Sequence, residues 1–113
     1  MESILTSTKK LLGIEEGYEQ FDVDIIMHIN TIFTVLTQLG VGPSAGFSIK
    51  DKTATWEDFL GSASTNIISA KTYMALRVRL LFDPPTSSVV IEAIKETIKE
   101  LEWRLTVATE TTT

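Results

Sequence analysis

Cysteine is absent from this chain. Its absence excludes disulfide frameworks, thiolate zinc sites and cysteine nucleophiles, and it agrees with a reducing compartment. Histidine occurs once, as His28. No run is long and apolar enough for a membrane span. The richest stretches, residues 25–39 and 74–82, are broken by His28, Asn30, Arg77 and Arg79, whereas a span needs about 20 mostly apolar residues. Met1 leads straight into Glu2 and Ser3, with no basic region before an apolar run, which argues against a secretory signal. A basic excess is missing too. Ten Lys and Arg are scattered among fifteen Asp and Glu, for a formal net charge of −5. Grip on a nucleic-acid backbone needs a concentrated basic patch. Six acids in the first forty residues (Glu2, Glu15, Glu16, Glu19, Asp22, Asp24) face only Lys9 and Lys10. Such a surface disfavours tight hold on DNA and suits one past which DNA slides.

What remains is globular. The 113 residues are 43% hydrophobic and 22% charged, which fits one ordinary domain. A chain of this size buries roughly two-thirds of its surface and can build one core without staples. It has little room for a large substrate cleft, so a site is expected on the surface or between subunits.

Apolar spacing predicts the elements. Residues 3–12 read as a short helix, with Ile4, Leu5, Leu11 and Leu12 as its apolar face and Gly13 as its stop. Residues 13–20 form an acidic connection. Asp22 is a good N-cap for the next helix, with Phe21 able to staple onto Ile26. Phe21, Ile25, Ile29, Ile32, Leu36 and Leu39 recur at spacings of three and four. That helix should stop near Gly40, before the Gly- and Pro-rich run 40–46. Phe47-Ser48-Ile49 alternates like a strand, so a small two-stranded ribbon near 47–55 is open. Thr55-Trp56-Glu57-Asp58 resembles a capping box opening a short middle helix.

A long helix from Ser64 or Thr65 to Phe82 is apolar on more than one face and reads as the central one. Asp83-Pro84-Pro85 ends it. The last helix starts at a Thr86 or Ser87 cap. Its seam of Ile91, Ile94, Ile98, Leu101, Leu105 and Ala108 runs at spacings of 3, 4, 3, 4 and 3. Charge pairs Glu92–Lys95, Glu96–Lys99 and Glu100–Arg104 line its other face. The fold class is therefore mostly all-α: a compact bundle of three long helices plus short N-terminal and middle helices. Residues 1–108 form a single helical domain, and 109–113 a flexible polar tail.

The chain offers no catalytic constellation, no metal ligand set and no cofactor motif. His28 has only Asp24, at i−4, as a local partner, and a lone helical histidine is usually structural. The pairs Glu15-Glu16, Asp22-Asp24 and Glu57-Asp58 are explained by loop solvation, helix N-terminal charge and capping. A calcium or magnesium site needs several oxygens converging, and no Asp-rich loop has that spacing. Gly40-Val41-Gly42 follows a helix and lacks a Lys-Ser/Thr pair, so no phosphate loop fits.

Binding candidates are aromatic and basic. Trp56 and Phe59 either pin the short helix to the core, the favoured reading, or anchor a partner. Trp103 lies off the seam and either widens it against the central helix or is exposed for a partner. Arg77 and Arg79 are solvated edges or make an inter-subunit ion pair.

The stretches Lys-Lys-Leu-Leu-Gly, Asp-Val-Asp-Ile-Ile-Met-His-Ile-Asn, Gln-Leu-Gly-Val-Gly-Pro, Thr-Trp-Glu-Asp-Phe, Leu-Leu-Phe-Asp-Pro-Pro and Leu-Glu-Trp-Arg-Leu complete the picture. Together they resemble the small head–tail connector (adaptor) proteins of tailed bacteriophages of Gram-positive bacteria. The likeness runs through nearly the whole chain and is one of pattern, not of a chemical motif. It implies a virion structural protein, at the head–tail interface after assembly in the host cytoplasm. It implies a ring of self-associated copies, typically twelve, beneath the portal protein. Such a ring extends the DNA channel and presents a surface to a tail-completion or stopper protein. DNA would pass through without sequence-specific binding, and no membrane is involved. The resemblance places portal docking at the C-terminal end: Trp103, Arg104, Val107, Thr109, Glu110, Thr111, Thr112 and Thr113. Truncation before Trp103 is then expected to spare the fold and weaken assembly. The alternative is a small helical interaction or regulatory module without catalytic activity.

Overall fold

A computed structural model describes residues 2–61 and 66–111. Five helices form among them: α1 (Ile4–Leu11), α2 (Asp22–Gln38), α3 (Trp56–Leu60), α4 (Ile67–Phe82) and α5 (Ser88–Thr111). The described residues contain no strand, only an isolated bridge between Ser3 and Thr55. The protein is an all-α bundle. α4 is its centre, and α1, α2, α3 and α5 all pack against it. Among the described residues no helix is long and apolar enough to cross a membrane.

Local chemistry explains the helix ends. Ser3 caps α1, its hydroxyl accepting from the Thr6 N–H at 3.2 Å. α2 closes in a Schellman turn. The Val41 N–H reaches the Leu36 carbonyl at 2.9 Å, and the Gly40 N–H reaches that of Thr37 at 3.0 Å. This turn needs a left-handed residue, and Gly40 supplies φ +82. Thr55 and Asp58 form a complete capping box, so aspartate does serve in place of the usual glutamate. Ser87 accepts from the Val90 N–H at 3.4 Å and opens α5. Ser64 and Thr65, the expected start of the central helix, lie outside the described residues.

The core joins α2 and α4 through Ile25, Ile29, Ile32, Phe33, Tyr73 and Met74, all essentially without solvent contact. α5 adds Ile98 and Leu105 from its seam. Trp56 and Phe59 are buried against Phe33, with ring centroids 6.3 and 4.7 Å away. Trp56 Nε1 donates to Ser7 Oγ at 2.8 Å, which meets the need of a buried indole for a partner. These two aromatics therefore pin α3 to the core.

Three expectations are corrected. Asp22 is the first residue of α2 and not its cap; Phe21 stands at the cap position without a side-chain bond. The Asp22 carboxylate is engaged instead by Lys9, 2.8 Å away. Leu11 is exposed, while Lys9 takes the buried place on α1. The ribbon over 47–55 is absent. Asn30 does the work of a pairing strand, accepting from the Ile49 N–H at 2.8 Å and donating to the Ile49 carbonyl at 3.0 Å. Ile49 and Phe47 still face inward, which accounts for their strand-like alternation.

Candidate partner-binding surface

Most ionisable side chains are already occupied within the chain. Lys9 is only 2% exposed, and its Nζ donates to the carbonyls of Glu16 and Tyr18 at 3.0 and 2.7 Å. Asp22 adds an ion pair, its Oδ1 lying 2.8 Å from the same Nζ. This cage holds the acidic connection between α1 and α2 in place. Tyr18 in the same connection meets Phe21 in a tilted ring contact, centroids 5.6 Å apart. Phe21 in turn meets Phe82 at 5.3 Å. His28 packs its ring on Phe82, centroids 6.3 Å apart. No group of three His, Cys, Asp or Glu side chains is placed to hold a metal ion among the described residues.

A cavity of about 510 Å³ lies between α1, the start of α2 and residues 50–52. Acids (Glu16, Glu19, Asp22) and bases (Lys9, Lys50, Lys52) line it together. It contains no paired nucleophile and base. Asp51, also in its lining, accepts from the Thr53 hydroxyl at 2.5 Å and from the Thr53 N–H at 2.9 Å. Those bonds hold its carboxyl below the ordinary range.

Trp103 is resolved in favour of exposure. It keeps 67% of its surface open, on the side of α5 opposite the seam. Arg104 is exposed beside it and pairs with Glu100 at 2.8 Å. Val107 is half-buried. The backbone is helical through Thr109, Glu110 and Thr111, while Thr112 and Thr113 lie outside the described residues. Leu105 is 1% exposed and belongs to the core. Truncation before Trp103 would therefore remove a core side chain, which corrects the expectation that the fold survives it.

Arg77 and Arg79 sit apart from Trp103, on α4. Arg77 lies 3.9 Å from Glu102 and 5.8 Å from the centre of the Tyr73 ring. Tyr73 donates its hydroxyl proton to the same Glu102 carboxylate at 2.7 Å. Burial, followed by that bond, raises the Tyr73 phenol well above its ordinary value near 10. Arg77 is thus part of the α4–α5 contact. Arg79 is half-buried, and its Nε has no hydrogen-bond partner among the described residues. The structure brings Trp103, Arg104 and Val107 together on one helix and leaves Arg77 and Arg79 on another. Sequence reasoning missed the Lys9 cage. The available signal was Lys9 at i+4 from Leu5, on the inward face of α1.

Comparison with curated proteins and with solved structures finds no match. A family of phage connector proteins does match, over residues 4–112. That span takes in all of the helices described above. The chain thus belongs to the phage connector protein family, whose members are structural components of the virion.

Proposed function

We propose that this protein is a head–tail connector that forms a ring beneath the portal of a tailed phage. The ring extends the DNA channel and joins the capsid to the tail. The observation that carries this reading is the family match over residues 4–112. Two features support it. The formal charge of −5 suits a channel wall that must not hold DNA, since like charge opposes backbone contact. The outer face of α5 carries an exposed tryptophan, a residue enriched where interfaces concentrate their energy.

The portal contact falls to the C-terminal end of the chain, at Trp103, Arg104, Val107 and residues 109–113. α4 and α5 are antiparallel, and Tyr73 opposite Glu102 sets their register. The backbone of α5 continues through Thr111, beyond its last core residue, Leu105. Arg77 and Arg79 are the reserve contacts on α4. The next tail-completion or stopper protein binds the opposite rim. Assembly takes place in the host cytoplasm, and the family's virion location follows from it.

The test is electron microscopy of assembled particles together with native mass spectrometry of the chain mixed with its portal. A ring of about twelve copies between portal and tail is the expected result. A chain that never associates with the portal and is missing from that position in the particle sinks the proposal.

A further inference from the structure

We infer that the aromatic row where the start of α2 meets the end of α4 is the docking surface for the tail-side protein, and that it takes a segment in which an apolar side chain stands beside Lys or Arg. This inference rests on the ring reading above and assigns the contact on the rim away from the portal.

The row is built from two elements. Tyr18 meets Phe21 with centroids 5.6 Å apart, Phe21 meets Phe82 at 5.3 Å, and Phe82 meets His28 at 6.3 Å. Phe82 packs against the core, whereas Tyr18 and Phe21 keep 46% and 39% of their surface open. The row is also held still. Lys9 Nζ donates to the Tyr18 carbonyl at 2.7 Å, and the Tyr18 N–H donates to the Glu15 carbonyl at 3.1 Å. A surface already fixed loses little freedom on binding, and aromatic side chains are enriched at interfaces.

Charge selects the occupant. Residues 13–31 and 81–94 contain seven acids and no Lys or Arg, while the rest of the chain contains eight acids and ten bases. The acidic excess of the chain therefore belongs to these two segments. Two of the seven, Asp22 and Glu92, pair with Lys9 and Lys95. Glu16 and Glu19 share the lining of the cavity with Lys50 and Lys52. Glu15, Asp24 and Asp83 remain. All three are exposed, and none takes part in an ion pair among the described residues. They border the row. Phe21, Asp24 and His28 follow at spacings of three and four and so share one face of α2. Asp83 follows Phe82, and Glu15 opens the turn that Tyr18 closes. The basic residue in the last turn of α4 is Arg79, half-buried. Three free carboxylates against one partly covered guanidinium leave the border acidic. A carboxylate-bearing partner is repelled there, and one with Lys or Arg beside an apolar group is favoured on both counts.

The position agrees. α4 ends at Phe82 and α5 begins at Ser88. α5 then runs for 24 residues, on the order of 36 Å at the helical rise, towards the end assigned to the portal. A protein seated on the row does not compete with that contact.

The test uses portal rings that carry this protein, with the purified tail-completion protein of the same phage as probe. The variants are Asp24→Asn with Asp83→Asn, and Tyr18→Ala. All three side chains are exposed, and circular dichroism checks the fold; Phe21→Ala replaces Tyr18→Ala if that fails to fold. Both variants should leave the ring on the portal unchanged. The double variant should bind the probe on the order of tenfold more weakly and with a flatter salt dependence. Tyr18→Ala should weaken binding on the order of tenfold at every salt concentration. The inference is overturned if wild-type rings do not bind the probe, or if the variants bind it like wild type. It is also overturned if the variants lose the ring instead, which would make the row a contact between copies or with the portal. Unchanged probe binding with altered retention of DNA would assign the acids to the channel wall and overturn it as well. If wild type forms no ring on the portal, the ring reading fails and this inference with it; a wild-type ring indifferent to the variants fails this inference alone.

Discussion

Replacing Lys9 by Met tests whether a buried cation organises the acidic edge of this protein. Methionine keeps most of the stem volume and removes the ammonium. Three contacts go: the carbonyls of Glu16 and Tyr18 at 3.0 and 2.7 Å, and Asp22 at 2.8 Å. Removing one partner of a fully buried ion pair costs about 3–5 kcal/mol, mostly because the other charge is left stranded. Here the cost should be lower. The Asp22 side chain is 22% exposed, and Glu16 and Tyr18 belong to an exposed connection, so water can reach part of what is lost. Each charge-assisted bond still contributes about 1.5–3 kcal/mol. A total of about 2–4 kcal/mol follows. Urea unfolding should show it as a lower midpoint with an unchanged slope. Asp22→Asn made on top of Lys9→Met should recover part of the loss, since no carboxylate is then stranded, with a coupling of about 1–3 kcal/mol. Salt gives a second check, because a buried pair is screened far less than the exposed Glu100–Arg104 pair. A cost for Lys9→Met below about 0.5 kcal/mol would refute the reasoning, and so would additivity of the two substitutions.

Three further outcomes are expected. Asn30→Ala leaves the Ile49 N–H and carbonyl without their partner; it should cost about 1–3 kcal/mol and speed hydrogen exchange at the Ile49 amide, and unchanged protection there would refute it. Gly42→Ala would bring a Cβ within 2.3 Å of Phe59 Cε1 at φ +83, at about 2–4 kcal/mol. Gly13→Ala has the same sign of φ but open space, and should cost only about 1–2 kcal/mol; equal losses would show that Phe59 yields. Tyr73, with its phenol raised above its ordinary value near 10, keeps its full contribution below that pH. As pH rises further the unfolded chain releases the proton first and stability falls. Tyr73→Phe should flatten that alkaline loss in unfolding curves taken at several pH values, and a loss of the same steepness would rule the Tyr73–Glu102 contact out as its source.

Where a residue's neighbours lie within a turn or two of it, the sequence was readable. The spacing of Ile25, Ile29, Ile32 and Leu36 marked the inner face of α2, and all four are buried. Thr55 and Asp58 marked the start of α3, because a capping box is closed by residues three apart. Legibility failed where a distant partner decided the outcome. Phe47-Ser48-Ile49 has the alternation of a strand, but what satisfies the Ile49 backbone is an amide nineteen residues earlier. Asp22 has the chemistry of a cap, yet Lys9 claims its carboxylate. Lys9 itself looked like surface charge. No rule of composition indicates that two loop carbonyls will turn back to enclose an ammonium.

The same division applies to the candidate surface, and it explains why Trp103 stayed open. The seam of α5 fixes one direction, towards Ile98 and Leu105, and Trp103 points almost opposite to it. Position on the helix alone does not determine exposure, because a further helix on that side would bury the indole. Only the packing, in which α5 lies against α4, leaves the far side uncovered. An uncovered tryptophan is ordinary taken singly, since soluble proteins expose much apolar surface. Folding gains nothing from an indole left in solvent. A contact made after folding gains directly from it.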